Sequence, residues 1–530
     1  MLAAELLTYR NTHSFSKIVL DYLDGNDALK PFYAFSPTVE GIKNALAVKK
    51  QQSLPRQVLA DVLTEQYQGI ENTEKVSANI ERLRDENTFT VCTAHQPNLF
   101  TGPLYFIYKT LHVIRLAEYL NAEIPDHHFV PLFYMGCEDA DLDELNHFTV
   151  RGKKYVWQTK QGGAVGRMAV DKDLLKLVEE LEKQLSVEPR GIEWIAMLKE
   201  CFTPGKIIQN ATFEFVHRLM GHYGLIVFIP DHPAIKEQLI NVFEDDLLQH
   251  TALDVVNQTS KRLAQHYNVQ AHVRPVNLFY LQDEFRERIE CVHRQYHVVN
   301  TKIRFSEEEM KAELRAHPER FSPNVILRGI LQESILPNAA FIGGGGELAY
   351  WLQLKDLFDH YKVPYPVLVL RNSFMIVDKT AAALQQKLDL STDDLFFSEL
   401  EILNKLVERA GKKPELNGQL NVIREKYEQI KSLATVYDPT LQQHVDALKT
   451  KTLNHLLALE KKMWSAERKR QEASQRQVAK LKRMLFPKGL QERVENPGGF
   501  YAQWGPEFID VLYQHSPALD ARFVVLSQTG

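Results

Sequence analysis

Thr88-Phe-Thr-Val-Cys92 opens the stretch that decides the fold, and it leads into His95-Gln-Pro-Asn-Leu-Phe-Thr-Gly-Pro103 and Leu104-Tyr-Phe-Ile-Tyr-Lys-Thr-Leu-His-Val-Ile114. The first segment is apolar and β-branched, which favours a buried strand. In the third segment apolar residues recur every three or four positions, as they do on one face of a helix. The stretch therefore predicts a strand, a tight polar loop and an amphipathic helix in direct succession.

The loop between this strand and this helix has the composition of an anion-binding site. Pro103 suits the first position of a helix, with Thr101 or Gly102 as its cap. Free backbone N–H groups and the positive end of the helix dipole would then lie beside His95 and Asn98. A purely structural turn is the alternative. We expect the loop to contact a phosphate or a carboxylate.

Strand-like runs alternate with helical patterns between about residues 85 and 375, which predicts an α/β core with parallel strands. A further run, 273–281, fits an edge strand or an inserted element. In open α/β sheets ligands bind beyond the carboxyl ends of the strands, so the loops after the strands should converge on one crevice. The five core strands are predicted at residues 88–92, 129–135, 225–229, 339–342 and 366–370.

Beyond Val377 the apolar spacing becomes helical, and no glycine occurs between Gln419 and Lys488. Two long antiparallel helices with Pro439 at their turn are the simplest interpretation. Aromatic and strand-forming residues return near the end of the chain, which predicts that the tail packs back on the core. We therefore divide the chain into a core at 1–378 with insertions at about 150–220 and 235–325, a helical coiled coil at 379–490, and a C-terminal segment at 491–530.

The composition argues against several classes of function. The 63 Lys and Arg residues against 68 Asp and Glu give a net charge of −5, so we expect no global attraction to nucleic acid or to an anionic membrane. No apolar run is long enough to span a bilayer, and the N-terminus lacks a signal-peptide pattern. The four cysteines are far apart and show neither metal-binding nor disulfide spacing. These features predict a soluble, cytoplasmic protein with reduced thiols.

The segment after the second predicted strand is strongly acidic: Gly136-Cys-Glu-Asp-Ala-Asp-Leu-Asp-Glu-Leu-Asn-His147. Carboxylates this close repel one another, so a metal, a substrate ammonium or a helix dipole should compensate them. Acidic residues are also ordinary in a first helical turn. Glu138 and Asp139, nearest the strand end, are the candidates for holding Mg²⁺ or an ammonium group, with Asp141 beside them. The spacing is not that of an EF-hand and identifies no particular metal.

Four consecutive glycines, Gly343-Gly-Gly-Gly346, stand between a predicted strand and a predicted helix. Glycines permit unusual backbone angles and close approach of a ligand, with the helix dipole aimed at it. The run is neither a dinucleotide-binding fingerprint nor a P-loop. A flexible turn is the alternative. We expect the glycines to contact substrate together with Glu347 and Tyr350, in the first turn of the helix.

Three arginines lie next to predicted strands or short turns: Arg274, Arg328 and Arg371. Arginine binds carboxylates bidentately, so a substrate with more than one carboxylate would suit them. Each arginine could equally form a buried ion pair with one of the clustered acids.

Four segments, residues 95–109, 136–147, 321–332 and 343–371, occur together in an order that is similar to one known family. The chain resembles the bacillithiol-biosynthesis cysteine-adding enzymes, the BshC family, over nearly its whole length. The resemblance implies an α/β fold with a Rossmann-like parallel-sheet core, inserted connecting segments and a C-terminal α-helical coiled coil that forms a homodimer. It implies ligation of L-cysteine to glucosaminyl malate. Activating the cysteine carboxylate implies ATP, with ADP as product or bound nucleotide, and Mg²⁺.

The resemblance and the patterns together give a set of expected site residues. Those expected in catalysis are Glu138, Asp139, Asp141 and His95. Those expected to bind substrate are Gln96, Asn98, Thr101, Arg274, Asn277, Arg328, Gln332, Gly343, Gly344, Gly345, Gly346, Glu347, Tyr350, Arg371 and Asn372. The resemblance also implies an adenine-nucleotide pocket that involves the C-terminal region, with Asn496, Phe500 and Tyr501 as its candidates.

The core is also similar to that of nucleotidyltransferases and class I aminoacyl-tRNA synthetases, in which two histidines of the first loop grip ATP. Here His95 is the one histidine of the loop, and it stands where many members of the BshC family have glutamine, so hydrogen bonding is its expected role. Activation through an acyl phosphate and through an adenylate both stay open. The alternatives to a cysteine ligase are an adenylating nucleotidyltransferase of another acid and a non-catalytic dimeric scaffold.

Overall fold

The computed structural model describes residues 2–411 and 413–528. The strands in this part of the chain are β1 (Leu2–Thr8), β2 (Thr88–His95), β3 (His128–Met135), β4 (His147–Val150), β5 (Lys153–Val156), β6 (Ile226–Phe228), β7 (Leu278–Gln282), β8 (Phe285–Val292), β9 (Gln295–Val298), β10 (Arg304–Phe305), β11 (Phe321–Pro323), β12 (Asn338–Gly343), β13 (Val367–Leu370), β14 (Phe374–Val377) and β15 (Arg522–Gln528).

The α-helices of the same residues are α1 (Lys17–Leu23), α2 (Val39–Lys49), α3 (Arg56–Gln66), α4 (Glu74–Arg82), α5 (Tyr105–Glu123), α6 (Leu142–Leu145), α7 (Lys172–Leu185), α8 (Gly191–Cys201), α9 (Ile208–Met220), α10 (Pro233–Glu237), α11 (Ile240–Leu248), α12 (Thr251–Leu263), α13 (Glu307–Ala316), α14 (Val325–Ile335), α15 (Gly345–Gln353), α16 (Lys355–Tyr361), α17 (Lys379–Lys387), α18 (Glu399–Arg409), α19 (Asn417–Tyr437), α20 (Leu441–Arg470), α21 (Glu472–Leu485), α22 (Gly498–Trp504) and α23 (Glu507–Gln514). No helix in residues 2–411 and 413–528 is long and apolar enough to cross a membrane.

The central sheet is parallel, with five strands in the order β13-β12-β2-β3-β6. Each of these strands coincides with one predicted from the sequence, so the predicted α/β core is confirmed. β2 is buried over nearly its whole length, as expected for a strand that helices cover on both faces. α5 packs against β2 and β3, which fixes the loop between β2 and α5 at the carboxyl edge of the sheet.

The helix after β2 begins later than the loop sequence predicts. α5 begins at Tyr105, and among the described residues no side chain caps it, so the predicted start at Pro103 with a cap from Thr101 or Gly102 is wrong. The physical reason is the backbone of the loop, in which Phe100, Thr101 and Gly102 have positive φ angles of 52°, 73° and 67°. These left-handed residues turn the chain before a helix can form.

One of the first N–H groups of this helix start already has a protein partner. The N–H of Leu104 donates to the carbonyl of Glu495 at 2.8 Å. The C-terminal segment therefore occupies a backbone donor that the sequence had left free for an anion.

The insertions form substructures of their own beside the core. The hairpin β4–β5 and helices α6 to α9 lie between β3 and β6, and a second sheet lies between β6 and β12. This sheet is antiparallel, in the order β10-β9-β8-β7-β11. The sixth predicted strand, 273–281, belongs to this inserted sheet but begins later, at Leu278. Pro275 has no N–H group to donate, which is consistent with the later start.

The N-terminal and C-terminal strands of the described chain meet in a third sheet, in the order β1-β15-β14. β15 pairs antiparallel with β1 and parallel with β14. α22 packs on α8, and α23 packs on α5, so the residues after α21 contact both the core and the first insertion.

The long helices α19 and α20 form an antiparallel pair with Pro439 in the turn between them, as the sequence predicts. Cross-pair contacts such as Tyr427 Oη to Thr452 Oγ1 at 2.7 Å fix the register. α21 then returns to α17, α18 and β14. Several apolar side chains of α19 stay exposed on the isolated chain, among them Val422, Ile430, Leu433, Val436 and Tyr437.

Candidate active site

The carboxyl ends of the core strands open into a cavity of about 930 Å³. Its wall also takes residues from α1, from both insertions and from the C-terminal segment, whereas the described residues of the coiled coil contribute none. The predicted convergence of the post-strand loops is therefore seen in the structure. The expected site residues that line the cavity are His95, Gln96, Glu138, Asp139, Arg328, Gly344, Gly345, Gly346, Glu347, Tyr350 and Arg371.

His95 is the last residue of β2, and its ring lies against Tyr105 and Phe106, with centroid distances of 5.3 and 5.8 Å. Its Nε2 atom is buried and has no hydrogen-bond partner among the described residues. Burial, together with the nearby charge of Lys109, lowers the pKa of His95 to about 3. The ring is therefore neutral at pH 7 and can act as a hydrogen-bonding group.

Lys109, on α5, joins the end of β2 to the glycine run. Its Nζ atom donates to the carbonyl of Ala94 at 2.7 Å and lies 2.5 Å from Oε2 of Glu347. The same carboxylate accepts the N–H of Gly344 at 2.8 Å. Burial alone would raise the pKa of Glu347, but Lys109 and this N–H bring it below its ordinary value. Glu347 is thus an ionised group that holds the start of α15 beside β2.

The charge of Glu138 is compensated by a lysine from the second insertion. Lys236, on α10, is fully buried, pairs with Glu138 and lies 3.4 Å from Asp231. Arg167 binds the same aspartate through two hydrogen bonds of 2.7 and 2.8 Å. Burial raises the pKa of Glu138 and Lys236 opposes that shift, while the adjacent Asp231 adds to it. The positive charge that compensates Glu138 in the acidic segment therefore comes from a side chain of the protein itself.

The other acidic residues also have protein partners. Asp139 accepts a hydrogen bond from Gln96 Nε2 at 3.1 Å. Asp141 lies outside the cavity lining and caps α6 by accepting the N–H of Glu144 at 3.1 Å. No group of three or more potential metal ligands from His, Cys, Asp and Glu occurs in the described ranges. The Mg²⁺ site expected at Glu138 and Asp139 is not prebuilt.

Arg328, on α14, reaches the cavity without an ion-pair partner among the described carboxylates. It donates to Tyr350 Oη at 2.5 Å and to Gln332 Oε1 at 3.3 Å. Gln332 is itself fully buried and lies behind the arginine. Gln332 and Tyr350, which were also expected to bind substrate, therefore orient the guanidinium of Arg328.

Arg371 also lines the cavity, but it forms a buried bidentate ion pair. Its two terminal nitrogens lie 3.0 and 2.8 Å from the carboxylate oxygens of Glu492. The alternative of a buried ion pair is therefore the observed one, although the acid comes from the C-terminal segment and not from the acidic cluster. The guanidinium also lies 5.1 Å from the ring centroid of Tyr105.

Arg286 is a third cavity-lining arginine, and the sequence did not indicate it. It comes from β8 of the inserted antiparallel sheet. Its Nε donates to Ser322 Oγ at 2.9 Å, its Nη2 donates to the carbonyl of Pro323 at 3.1 Å, and its guanidinium lies 3.9 Å from the ring centroid of Phe279.

Several expected residues lie outside the cavity lining. Arg274 is exposed, and Asn277 is buried with its Nδ2 atom 2.9 Å from Asp246. The amide of Asn372 donates to Ser516 Oγ at 2.7 Å. The contacts of Asn277 and Asn372 hold these two side chains away from the cavity. Also outside the lining are Asn98 and Thr101, which are buried in the first loop, Gln332, which contacts Arg328, and Gly343, which ends β12.

The three nucleotide-binding candidates also lie away from the cavity lining. Asn496 donates to the carbonyls of Phe100 and Gly102 at 3.0 and 2.7 Å, so its amide supports the first loop. Phe500 stacks on Phe508, and Tyr501 packs against Trp194. Their contact with a nucleotide stays a prediction.

Sequence reasoning missed several charged residues of this region. Lys109 carried a signal, because it is the one charged residue in an otherwise apolar stretch of helix, 104–114, and such a residue needs a partner. Asp231 lies in the loop directly after β6, among the post-strand loops that were expected to form the crevice. The other missed residues lie in the insertions or the C-terminal segment, and no local pattern pointed to them: Lys236, Arg167, Arg286, Glu492 and Arg493.

Two family models match nearly the whole described chain. The model of the bacillithiol biosynthesis BshC N-terminal Rossmann-like domain matches residues 2–372, and that of the BshC C-terminal coiled-coil domain matches residues 374–528. A solved structure from Campylobacter jejuni, described as a "putative arginyl t-RNA synthetase", matches 85% of this chain and 98% of its own at 11% identity. Its TM-score of 0.19 is too low to support an inference.

Two curated relatives are similar over almost their full length. The protein from Cytophaga hutchinsonii is 36% identical over 517 residues, which cover 97% of this chain and 96% of the relative. The protein from Flavobacterium johnsoniae is 34% identical over 530 residues, which cover 99% and 100%. Both carry the name "Putative cysteine ligase BshC". The chain belongs to the BshC family of bacillithiol biosynthesis.

Proposed function

We propose that this protein is a ligase that joins the carboxyl group of L-cysteine to the amino group of glucosaminyl malate and so forms bacillithiol. The observation that carries the proposal is the cavity of about 930 Å³, which has cationic Arg286 and Arg328 and acidic Glu138 and Asp139 in its wall. The two substrates carry carboxylates and amino groups, which such a wall complements. Membership of the BshC family supports this reaction class.

Making an amide from a carboxylate requires one carboxylate oxygen to leave. Bound ATP would supply this chemistry, because the departing oxygen then leaves on phosphate or on AMP. The amino nitrogen of the sugar forms the new bond to the carbonyl carbon and loses a proton. The protein has to hold the carbonyl carbon and the amine together and keep water away from them.

The glycine run fits a phosphate group. Gly344, Gly345 and Gly346 line the cavity at the start of the nine-residue helix α15, where the first N–H groups have no carbonyl within their own helix. A Cβ atom at Gly346 would meet nothing within 4 Å, so there is room beside this backbone for a ligand. We assign nucleotide phosphate to this part of the wall.

Mg²⁺ fits the carboxylates of the cavity poorly. Glu138 is paired with Lys236, and Asp139 accepts a hydrogen bond from Gln96. Mg²⁺ commonly binds through substrate phosphates and a few carboxylates while keeping several waters. In our proposal it arrives with the nucleotide and not at a site built by the protein alone.

The first loop has a binding role in this scheme. A neutral His95 at pH 7 can donate or accept a hydrogen bond but adds no positive charge. The ion pair of Lys109 and Glu347 keeps this loop and the glycine run at a fixed separation. Arg328 is oriented by Tyr350 and Gln332 and can bind a substrate carboxylate with its remaining N–H donors.

The direct test uses the purified protein with L-cysteine, glucosaminyl malate, ATP and Mg²⁺. We expect bacillithiol by mass spectrometry, and the same reaction mixture distinguishes ADP from AMP. Arg328→Gln should lower kcat/KM by about tenfold to a hundredfold, the usual effect of losing a charged hydrogen bond. Arg274→Gln is the matched control, because Arg274 is exposed and lies outside the cavity lining.

The alternatives give different results. Product formed in a partner-supplemented extract but not by the pure protein would contradict an autonomous ligase. Pyrophosphate exchange with another acid would identify an adenylating nucleotidyltransferase. Reversal of charge at both Glu138 and Asp139 that leaves thiol production in cells intact would favour the scaffold.

A further inference from the structure

The cationic groups in the cavity wall fall into two classes. Lys109 and Arg371 each form an ion pair with a glutamate of the chain. Arg286, Arg328 and Arg493 line the same cavity, but their hydrogen bonds to described residues all go to neutral groups. Three positive charges of the wall are therefore without an ion-pair partner in the described part of the chain. Two of them, Arg286 and Arg328, belong to neighbouring segments, because Arg286 binds the carbonyl of Pro323 just before α14.

The contacts of Arg286 fix the plane of its guanidinium while leaving its charge available. Ser322 Oγ and the carbonyl of Pro323 accept from Nε and Nη2, and the ring of Phe279 covers one face. Nη1 has no hydrogen-bond partner among the described residues. Burial lowers the pKa of Arg286, and Glu138 opposes that shift without contacting the guanidinium. A preorganised arginine of this kind loses little freedom when it binds an anion.

The chain path brings the second arginine close to the first. Arg286 binds the carbonyl of Pro323, and α14 begins two residues later, at Val325. At about 1.5 Å of rise per residue, the Cα of Arg328 lies roughly one helical turn from that start. Asn324 and Val325, which lie between the two arginines along this path, also line the cavity. The two arginines therefore belong to one continuous stretch of the cavity wall.

We propose that Arg286 and Arg328 form a subsite for a ligand that carries two carboxylates. Within the function proposed above, on which this step rests, the subsite binds the malyl group of glucosaminyl malate. Two arginines without carboxylate partners balance the two negative charges of that group. A nucleotide triphosphate fits this subsite less well, because its larger negative charge would lie near Glu138 and Asp139, whose charges act on Arg286.

This assignment gives the inserted antiparallel sheet a defined part in recognition. The core supplies the glycine run and the first loop, whereas Arg286 comes from a hairpin strand that is foreign to the parallel sheet. Arg286 is then a specificity-determining residue. It should affect the binding of glucosaminyl malate and leave cysteine and nucleotide binding largely unchanged.

The test is isothermal titration calorimetry of the full chain with glucosaminyl malate in the absence of ATP, followed by steady-state kinetics. Arg286→Gln should raise the Kd for glucosaminyl malate and its KM by at least about tenfold, with kcat and the KM values for cysteine and ATP within about twofold. Arg286→Lys keeps the positive charge but loses the planar guanidinium that binds a carboxylate through two hydrogen bonds. Its Kd and KM for glucosaminyl malate should lie between those of the wild type and Arg286→Gln. Arg288→Gln is the matched control, because Arg288 lies on the same strand, outside the cavity lining.

The possible results separate this subsite from the ligase activity. Binding of glucosaminyl malate that is weakened by Arg286→Gln, without turnover by the wild type, would support the subsite and contradict the ligase. Turnover with an unchanged KM for glucosaminyl malate in Arg286→Gln would overturn the subsite alone. A selective rise in the KM for ATP would assign the arginines to phosphate and overturn the proposal. Wild-type protein that does not bind glucosaminyl malate would overturn it as well. If Arg286→Lys unfolds at the same temperature as the wild type, the substitution has left the fold intact.

Discussion

Single charged residues around the cavity depend on partners that are remote in sequence. Lys236 compensates Glu138, Glu347 pairs with Lys109, and Glu492 binds Arg371. Removing one member of such a pair leaves an uncompensated buried charge, which is strongly destabilising. His95 differs, because its ring is kept neutral by its surroundings, and this has a measurable effect on stability.

His95 should make the protein more sensitive to acid. Its pKa is about 3 in the folded protein, below the ordinary 6.5, so the unfolded chain takes up a proton first as the pH falls. The stability that neutral His95 contributes is present above pH 6.5 and is lost as the pH falls towards 3. His95→Gln should therefore reduce the loss of unfolding free energy between pH 6.5 and 4.5, by up to about 1.4 kcal/mol per pH unit.

Urea unfolding at several pH values measures this difference. His455→Gln is the control, because His455 is exposed on α20, and its pH dependence should match that of the wild type. An equally steep acid dependence in His95→Gln would contradict a lowered pKa of His95 in the folded protein.

Among the structural elements, the short segment that follows α21, residues 491–496, connects separate walls of the cavity through hydrogen bonds and an ion pair. Gln491 bonds the backbone of Ile376 in β14, and Glu492 binds Arg371. Three residues later the carboxylate of Glu495 accepts the N–H groups of Arg151 and Gly152 at 2.7 and 2.9 Å. Asn496 then supports the first loop. Residues 491–496 thus link the end of the coiled coil to β14, to the first insertion and to two walls of the cavity.

Asn496→Ala should loosen the first loop. The substitution removes the donors to the carbonyls of Phe100 and Gly102, in a turn whose left-handed backbone needs support from outside. Leaving buried acceptors unpaired costs about 1–3 kcal/mol of unfolding free energy. Urea unfolding should show this loss, and hydrogen exchange should become faster in residues 98–105.

Asn496→Asp is the informative second variant, because it keeps the shape but has no N–H donor. It should loosen the loop at least as much as Asn496→Ala, because a buried carboxylate would also face two carbonyl oxygens. Asn454→Ala on the exposed side of α20 should leave loop exchange unchanged. Wild-type exchange in both Asn496 variants would show that these hydrogen bonds do not hold the loop.

At the scale of the whole molecule, the long helices present an apolar surface that the described chain leaves open. Exposed apolar residues of α19 recur at spacings of eight, three and four, which places them on one side of the helix, away from the side that faces α20. Their exposed fractions are 55% for Val422, 49% for Ile430, 65% for Leu433 and 87% for Tyr437. We propose that this stripe is part of a homodimer interface through the coiled coil.

Ile430→Glu combined with Leu433→Glu should convert a dimer into a monomer. Two carboxylates placed in an apolar interface would be desolvated without partners, whereas on a monomer they would face water. Static light scattering measures the mass, and far-UV circular dichroism reports whether the helices are retained. Removal of residues 385–490 should also give a monomer, although it deletes α21, which packs on the core.

Arg424→Glu is the control substitution, because Arg424 is exposed on α19 but lies outside the apolar stripe. It should remain dimeric. A dimer that persists in the double variant would place the interface elsewhere or show that the chain does not associate through α19.

The sequence by itself determined the parallel core, the loops that converge on its carboxyl edge and the helical hairpin with its turn at Pro439. These features depend on local apolar spacing and on glycine and proline, which act over a few residues. The tertiary structure alone decided that Lys236 neutralises Glu138, that Glu492 forms an ion pair with Arg371, and that Arg286 lines the cavity. Each of these contacts closes a long loop of chain, and which distant charges meet depends on how the insertions and the C-terminal segment pack, not on any local pattern.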